Sequence, residues 1–177
     1  AYCGGIAAGV GHCPPMGFDQ TFIASRIEQS ARAVAALSKQ SAVIERIGRA
    51  VRDCFARGGT LFTCGNGGSA AEAMHLSEEL IGKYKRARRP YPAVCLNADP
   101  TAITCIANDY GYESIFARQI EALGRQGDVL VGFSTKFRSE AEESLEELKS
   151  LAQSANKVVL ATTVQTRKMP DPRYLIG

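Results

Sequence analysis

The sequence contains no tryptophan, no CxxC pair, no strong charge of either sign and no apolar run approaching the ~20 residues that span a bilayer. Each absence excludes something. A formal net charge of +3 is too small to argue for a nucleic-acid partner. The densest basic run, KYKRARR from Lys83 to Arg89, reads as a solvated helix end or loop. The six cysteines, at 3, 13, 54, 64, 95 and 105, lie in a chain large enough to fold without staples, which predicts reduced thiols in a cytoplasmic protein. The short stretch IAAGV lacks the basic start and the length of a secretory signal, so neither membrane nor export is expected.

What is present describes a globular domain. With 45% apolar and 22% charged residues over 177 positions, the chain can bury one substantial core. Residues 1–18, rich in glycine and proline, read as a poorly ordered leader. From Asp19 to Arg57, Ile23, Ile27, Val34, Ile47, Val51 and Phe55 recur at helical spacing and predict one long helix or two, closed by Gly58 and Gly59. Then TLFTC, PAVCL, DVLVGFS and KVVLAT read as buried strands. Between them lie helices over SAAEAMHLSEELIGKY, about Thr101 to Asn108, Glu113 to Leu123 and Ser139 to Ala155. Apolar strands alternating with helices predict an α/β fold, a doubly wound parallel sheet in three layers behind a long N-terminal helical segment.

Ligands of such sheets bind beyond the carboxyl ends of the strands, where GNGGS, residues 65–69, falls. A strand, a glycine turn and a helix N-terminus expose backbone N–H groups to an anion, and the helix dipole favours negative charge there. GNGGS is neither GxGxxG nor the GxxxxGK[ST] phosphate loop, so dinucleotide and NTP readings are weak. SAAE also fits a capping box, in which Ser69 caps the helix and Glu72 bonds back. His75 and Glu79, four apart, share one helix face beyond the glycines. That pair suits half of a metal site, a base with its partner, or a plain surface pair.

The runs CGNGGSAAEAMHLSEELIGKYKRARRPYPAV and NDYGYESIFARQIEALGRQGDVLVGFST closely resemble the phosphoheptose isomerases of the sugar-isomerase (SIS) superfamily, over about residues 20–135. The resemblance implies a flavodoxin-like SIS domain over 19–135. It also implies isomerisation of sedoheptulose 7-phosphate to D-glycero-D-manno-heptose 7-phosphate through an enediol, on the way to heptose-containing surface sugars such as lipopolysaccharide. Carried over residue by residue, Asn66, Gly67 and Gly68 would line the substrate, with Ser69 at the phosphate end. Asn108 and Asp109 match a further substrate-contacting pair, and Ser134, Thr135 and Ser139 a second phosphate turn. Glu79 matches the catalytic base, and His75 with Glu79 match zinc-ligand positions. The family is typically homotetrameric, with sites between subunits.

Two departures qualify that likeness. The second turn reads STKFRS where the family has STSGNS, so Lys136, Phe137 and Arg138 replace small residues and a glycine. Residues 136–177 diverge, and 140–177 resemble the opening of the N-terminal domain of HflX-type ribosome-associated GTPases, without any nucleotide-binding segment. The helix that supplies a Gln and a His to the isomerase site has no counterpart there. Two alternatives to an isomerase therefore stand: a non-catalytic sugar-phosphate-binding or assembly module, like the DnaA-initiator-associating relatives, and an inactive fusion product.

Overall fold

The computed structural model describes residues 19–133, which fall into two units divided after Ser41. In the first unit the sequence predicts a helix, and Asp19 starts it: its carboxylate accepts the Phe22 amide at 2.7 Å. This N-cap satisfies one of the amides that a helix start leaves without an intrahelical acceptor. Helix α1 runs Gln20–Ala36 and is braced by an exposed Glu28–Arg32 pair at 2.7 Å. Ile27 and Val34, predicted as an apolar stripe, lie 65% and 68% exposed. A tight turn, Leu37–Gln40, ends the unit, so the segment forms two helices and not one.

Helix α2, Ser41–Ala56, starts at the boundary, so that all of it but Ser41 lies in the second unit, and it closes at the predicted glycines. Gly58 takes φ +78°, a conformation that side chains disfavour, and the Gly59 amide bonds back to the Cys54 carbonyl at 2.9 Å. Three strands follow: β1 (Leu61–Gly65), β2 (Ala93–Cys95) and β3 (Val129–Phe133). They form a parallel sheet in the order β2-β1-β3, with Leu61 opposite both Ala93 and Val129. The central position of β1 explains why all five of its residues are buried.

Strand alternation assigns the two faces of β1 to different layers. Phe62 and Cys64 join Leu96 and Ile120 in the core, with Phe116 and Leu130 packed against them. On the other side Thr63 meets helix α3, Gly68–Ile81: its hydroxyl lies 2.8 Å from the Ala73 carbonyl and 2.8 Å from the Ser77 hydroxyl. These buried polar atoms satisfy one another, so α3 is held on the sheet by a bonded contact as well as by apolar packing. Helices α4 (Pro100–Tyr110) and α5 (Ala117–Leu123) complete the described residues. The helix expected across Glu113 to Leu123 is broken, with a tight turn at Tyr112–Ser114 preceding α5. Between this turn and α5, Ile115 is 2% exposed.

Cys54, Cys64 and Cys95 are buried free thiols and Cys105 an exposed one, in line with reduced cysteines. No helix among the described residues is long and apolar enough to cross a membrane. The leader at 1–18, the helix expected at 139–155, the strand KVVLAT and the HflX-like tail lie outside the described residues.

Candidate functional site

The site begins where β1 ends. Gly65 has no room for a side chain, because a Cβ there would sit 2.5 Å from the Ser69 carbonyl oxygen. That close approach lets α3 start directly above the strand. Gly67 turns the chain with φ +58° and ψ −126°, which glycine alone adopts without strain. Ser69 and Ala70 amides bond back to the Asn66 and Gly67 carbonyls, at 3.1 and 3.0 Å. Among the described residues the Gly67 and Gly68 amides take no acceptor, at the end of α3 where the helix dipole favours an anion.

The expected capping box does not form. Gly67 is the N-cap, the helix starts at Gly68, and Ser69 lies inside the first turn, 3% exposed. The glycine pair lets the helix begin one residue before Ser69, which removes Ser69 from the capping position and leaves Glu72 exposed.

Two side chains absent from the sequence-based candidates fix this turn. Asn97 extends the pairing of β1 and β2 beyond the end of β2: it accepts the Gly65 amide at 3.0 Å and donates to the Gly65 carbonyl at 2.8 Å. Tyr112 donates its hydroxyl to the Asn66 side-chain oxygen at 2.9 Å. Gly111, at φ +89°, makes the bend that starts the Tyr112 turn. Asn108 and Asp109, at the end of α4, are exposed and bond to each other at 2.8 Å. The segment NDYGY thus reaches the glycine turn through Tyr112.

Further along α3, His75 Nε2 and Glu79 Oε1 lie 3.5 Å apart, as their four-residue spacing predicts. The imidazole is 65% exposed and the carboxylate 31%, so both can meet a ligand from solvent. Zinc needs at least three protein donors. Among the described residues no group of three His, Cys, Asp or Glu gathers, and His75 with Glu79 alone do not make a zinc site. Ser134, Thr135 and Ser139 lie outside the described residues.

The thiol beside the turn is not a nucleophile. Burial, and secondarily the neighbouring Cys95, push Cys64 up to about 12. It therefore stays protonated and inert at neutral pH. The chemistry available at this strand end is anion binding at the glycine turn and carboxylate or imidazole chemistry on α3.

The chain is 48% identical over 99 residues to the phosphoheptose isomerase of Roseiflexus sp. strain RS-1, a match covering 56% of this chain and 50% of that one. It is 44% identical over 123 residues to the phosphoheptose isomerase of Enterobacter sp. strain 638, covering 68% and 64%. The chain thus spans between 50% and 64% of the length of these relatives. The solved phosphoheptose isomerase of Neisseria gonorrhoeae superposes with a TM-score of 0.68 at 34% identity, over 78% of this chain and 71% of that one. The one from Francisella tularensis gives 0.70 at 31% identity, over 78% and 72%. With residues 26–163 matching its family as well, the chain belongs to the SIS domain family.

Proposed function

We propose that this chain is an aldose–ketose isomerase that interconverts sedoheptulose 7-phosphate and D-glycero-D-manno-heptose 7-phosphate, supplying heptose for surface sugars such as lipopolysaccharide. One observation carries the reading: an anion-ready glycine turn at the start of α3 and a carboxylate–imidazole pair 3.5 Å apart farther along the same helix. A phosphorylated sugar would lie along α3 between them. Its phosphate meets the amides of Gly67 and Gly68, and Asn66 and Ser69 flank them. Its carbonyl end lies towards Glu79, with Asn108 and Asp109 on the neighbouring segment.

Glu79 then acts as the base. Its carboxylate takes a proton from C1 of the ketose, the electron pair forms the C1–C2 double bond of an enediol, and the same proton returns to C2. A second proton moves from the C1 hydroxyl to the C2 oxygen, so the atoms balance without a redox partner. His75 adjoins the base and is the imidazole available to exchange that second proton. The homotetrameric assembly of the family and a cytoplasmic location belong to the same proposal; a zinc ion would need donors beyond His75 and Glu79, and no step here is routed through one.

A binding module without turnover is the second reading. It is favoured by Lys136, Phe137 and Arg138, which stand where relatives have a small, glycine-containing phosphate turn. Glu79→Gln separates the two. In an isomerase it abolishes turnover, a loss of about 100-fold or more, while inorganic phosphate still binds. Turnover unchanged in Glu79→Gln would remove Glu79 from the role of base.

A further inference from the structure

Helix α3 reaches Glu79 only two residues before its end at Ile81. The carbonyls of a last helical turn have no intrahelical donors, and such ends fray unless something closes them. Here the usual devices are missing. The last turn of α3 carries no basic residue, and Gly82 takes φ −80°, not the left-handed conformation of a glycine cap.

The closure comes from the basic run. Arg88 donates through Nη2 to the Glu79 carbonyl and through Nη1 to the Leu80 carbonyl, the latter at 2.8 Å. Its guanidinium lies over the Tyr91 ring, 4.7 Å from the centroid. Tyr91 stacks on Phe55 of α2, with centroids 4.7 Å apart and planes 12° from parallel. The Tyr91 amide adds a second bond to the Leu80 carbonyl, at 3.1 Å, and the Pro92 carbonyl accepts the Leu61 amide at the start of β1. Arg88 is therefore not a solvated end-of-helix charge. It is half-buried, held by the final carbonyls of α3 and by the Tyr91 ring, at a helix end where a cation also suits the dipole.

We propose that Arg88 is a positioning residue for Glu79: its fork holds the last turn of α3 so that the carboxylate stays on the site face beside His75. The inference rests on the reading of Glu79 as the base. The contact is made to the backbone of Glu79 itself, so a frayed turn would move the carboxylate directly. A displacement of about 1 Å at a reacting group can cost about 100-fold in rate. The glycine turn lies at the opposite end of the helix, about 16 Å away at 1.5 Å per residue, and should not feel the change.

The test compares Arg88→Ala and Arg88→Lys with the unaltered full chain, using Lys85→Ala as a control for charge. Arg88→Ala should lower kcat per folded molecule about 10-fold or more while KM stays within about twofold. Arg88→Lys should recover part of the loss, because an ammonium cannot bridge two carbonyls as the planar fork does. Lys85→Ala should leave kcat as it is. In hydrogen exchange, the Gly82 and Tyr91 amides should open about 10-fold faster in Arg88→Ala, with Phe62 to Cys64 unchanged and inorganic phosphate still bound. Unaltered kcat, unaltered exchange, or an equal loss of phosphate binding would each overturn the proposal. A wild-type chain that turns nothing over counts against the isomerase reading alone, and exchange together with phosphate binding then decides whether Arg88 holds this turn.

Discussion

The Tyr112 hydroxyl donates to the side-chain oxygen of Asn66 at 2.9 Å, joining two segments 46 residues apart. The bond engages the Asn66 side-chain oxygen and leaves its NH2 group with no hydrogen-bond partner among the described residues. Tyr112 therefore sets which way Asn66 presents itself to the glycine turn.

Tyr112→Phe removes that one oxygen and little else. KM for sedoheptulose 7-phosphate should rise about three- to tenfold, the worth of one neutral hydrogen bond, with kcat much less affected. Steady-state kinetics check this, and an unchanged KM would mean that Asn66 is held by other means.

The strand end makes a prediction about stability. Gly65→Ala drives a Cβ to within 2.5 Å of the Ser69 backbone oxygen, whereas a Cβ at Gly68 meets nothing within 4 Å. Gly65→Ala should lose about 1–3 kcal/mol in urea unfolding, from overpacking against a backbone that cannot yield. Gly68→Ala should be neutral or gain up to about 1 kcal/mol, since alanine is the better helix former. Equal costs at the two positions would contradict the close approach of α3 to β1.

Cys64 predicts an alkaline dependence. Its thiol is pushed from an ordinary 9.0 up to about 12 by burial, with Cys95 a smaller contributor. In the unfolded chain the thiol ionises near its ordinary value, while in the fold it stays protonated. The stability it confers is complete below about pH 9 and is lost as pH rises towards about 12, with a slope of up to about 1.4 kcal/mol per unit. Between pH 8 and pH 10 the wild type should lose about 1 kcal/mol more than Cys64→Ala. Parallel losses would mean that the thiol ionises equally in both states.

Much of this architecture was legible in periodicity. TLFTC, PAVCL and DVLVGFS were recognisable as strands from their apolar runs, but only β1, which lies between two neighbours, is buried throughout; the edge strand β2 exposes Val94 and β3 is half-buried. Helix α4 extends beyond the expected Thr101 to Asn108, from Pro100 to Tyr110, because Asp99 caps it through the Thr101 and Ala102 amides and proline tolerates the first helical position. The His75–Glu79 pair followed from spacing alone. The bonds that shape the site did not: Asn97 to Gly65, Tyr112 to Asn66 and Thr63 to Ser77 join residues 32, 46 and 14 apart, and no periodicity encodes them. Ser69 misled for a related reason, since a capping pattern is read from residue types and the helix start was decided by a backbone turn at Gly67. Arg88 sat inside a run whose composition suggests solvent, and its bonds to the Glu79 and Leu80 carbonyls and its place over Tyr91 distinguish it from its neighbours.

The central claim is that the glycine turn and Glu79 together make an isomerase. Turnover of sedoheptulose 7-phosphate by the purified 177-residue chain, followed as appearance of the aldose with and without added zinc, tests it most directly. The account predicts conversion that disappears in Glu79→Gln. A folded chain that binds inorganic phosphate yet converts no substrate under either condition would contradict it and leave a sugar-phosphate-binding domain.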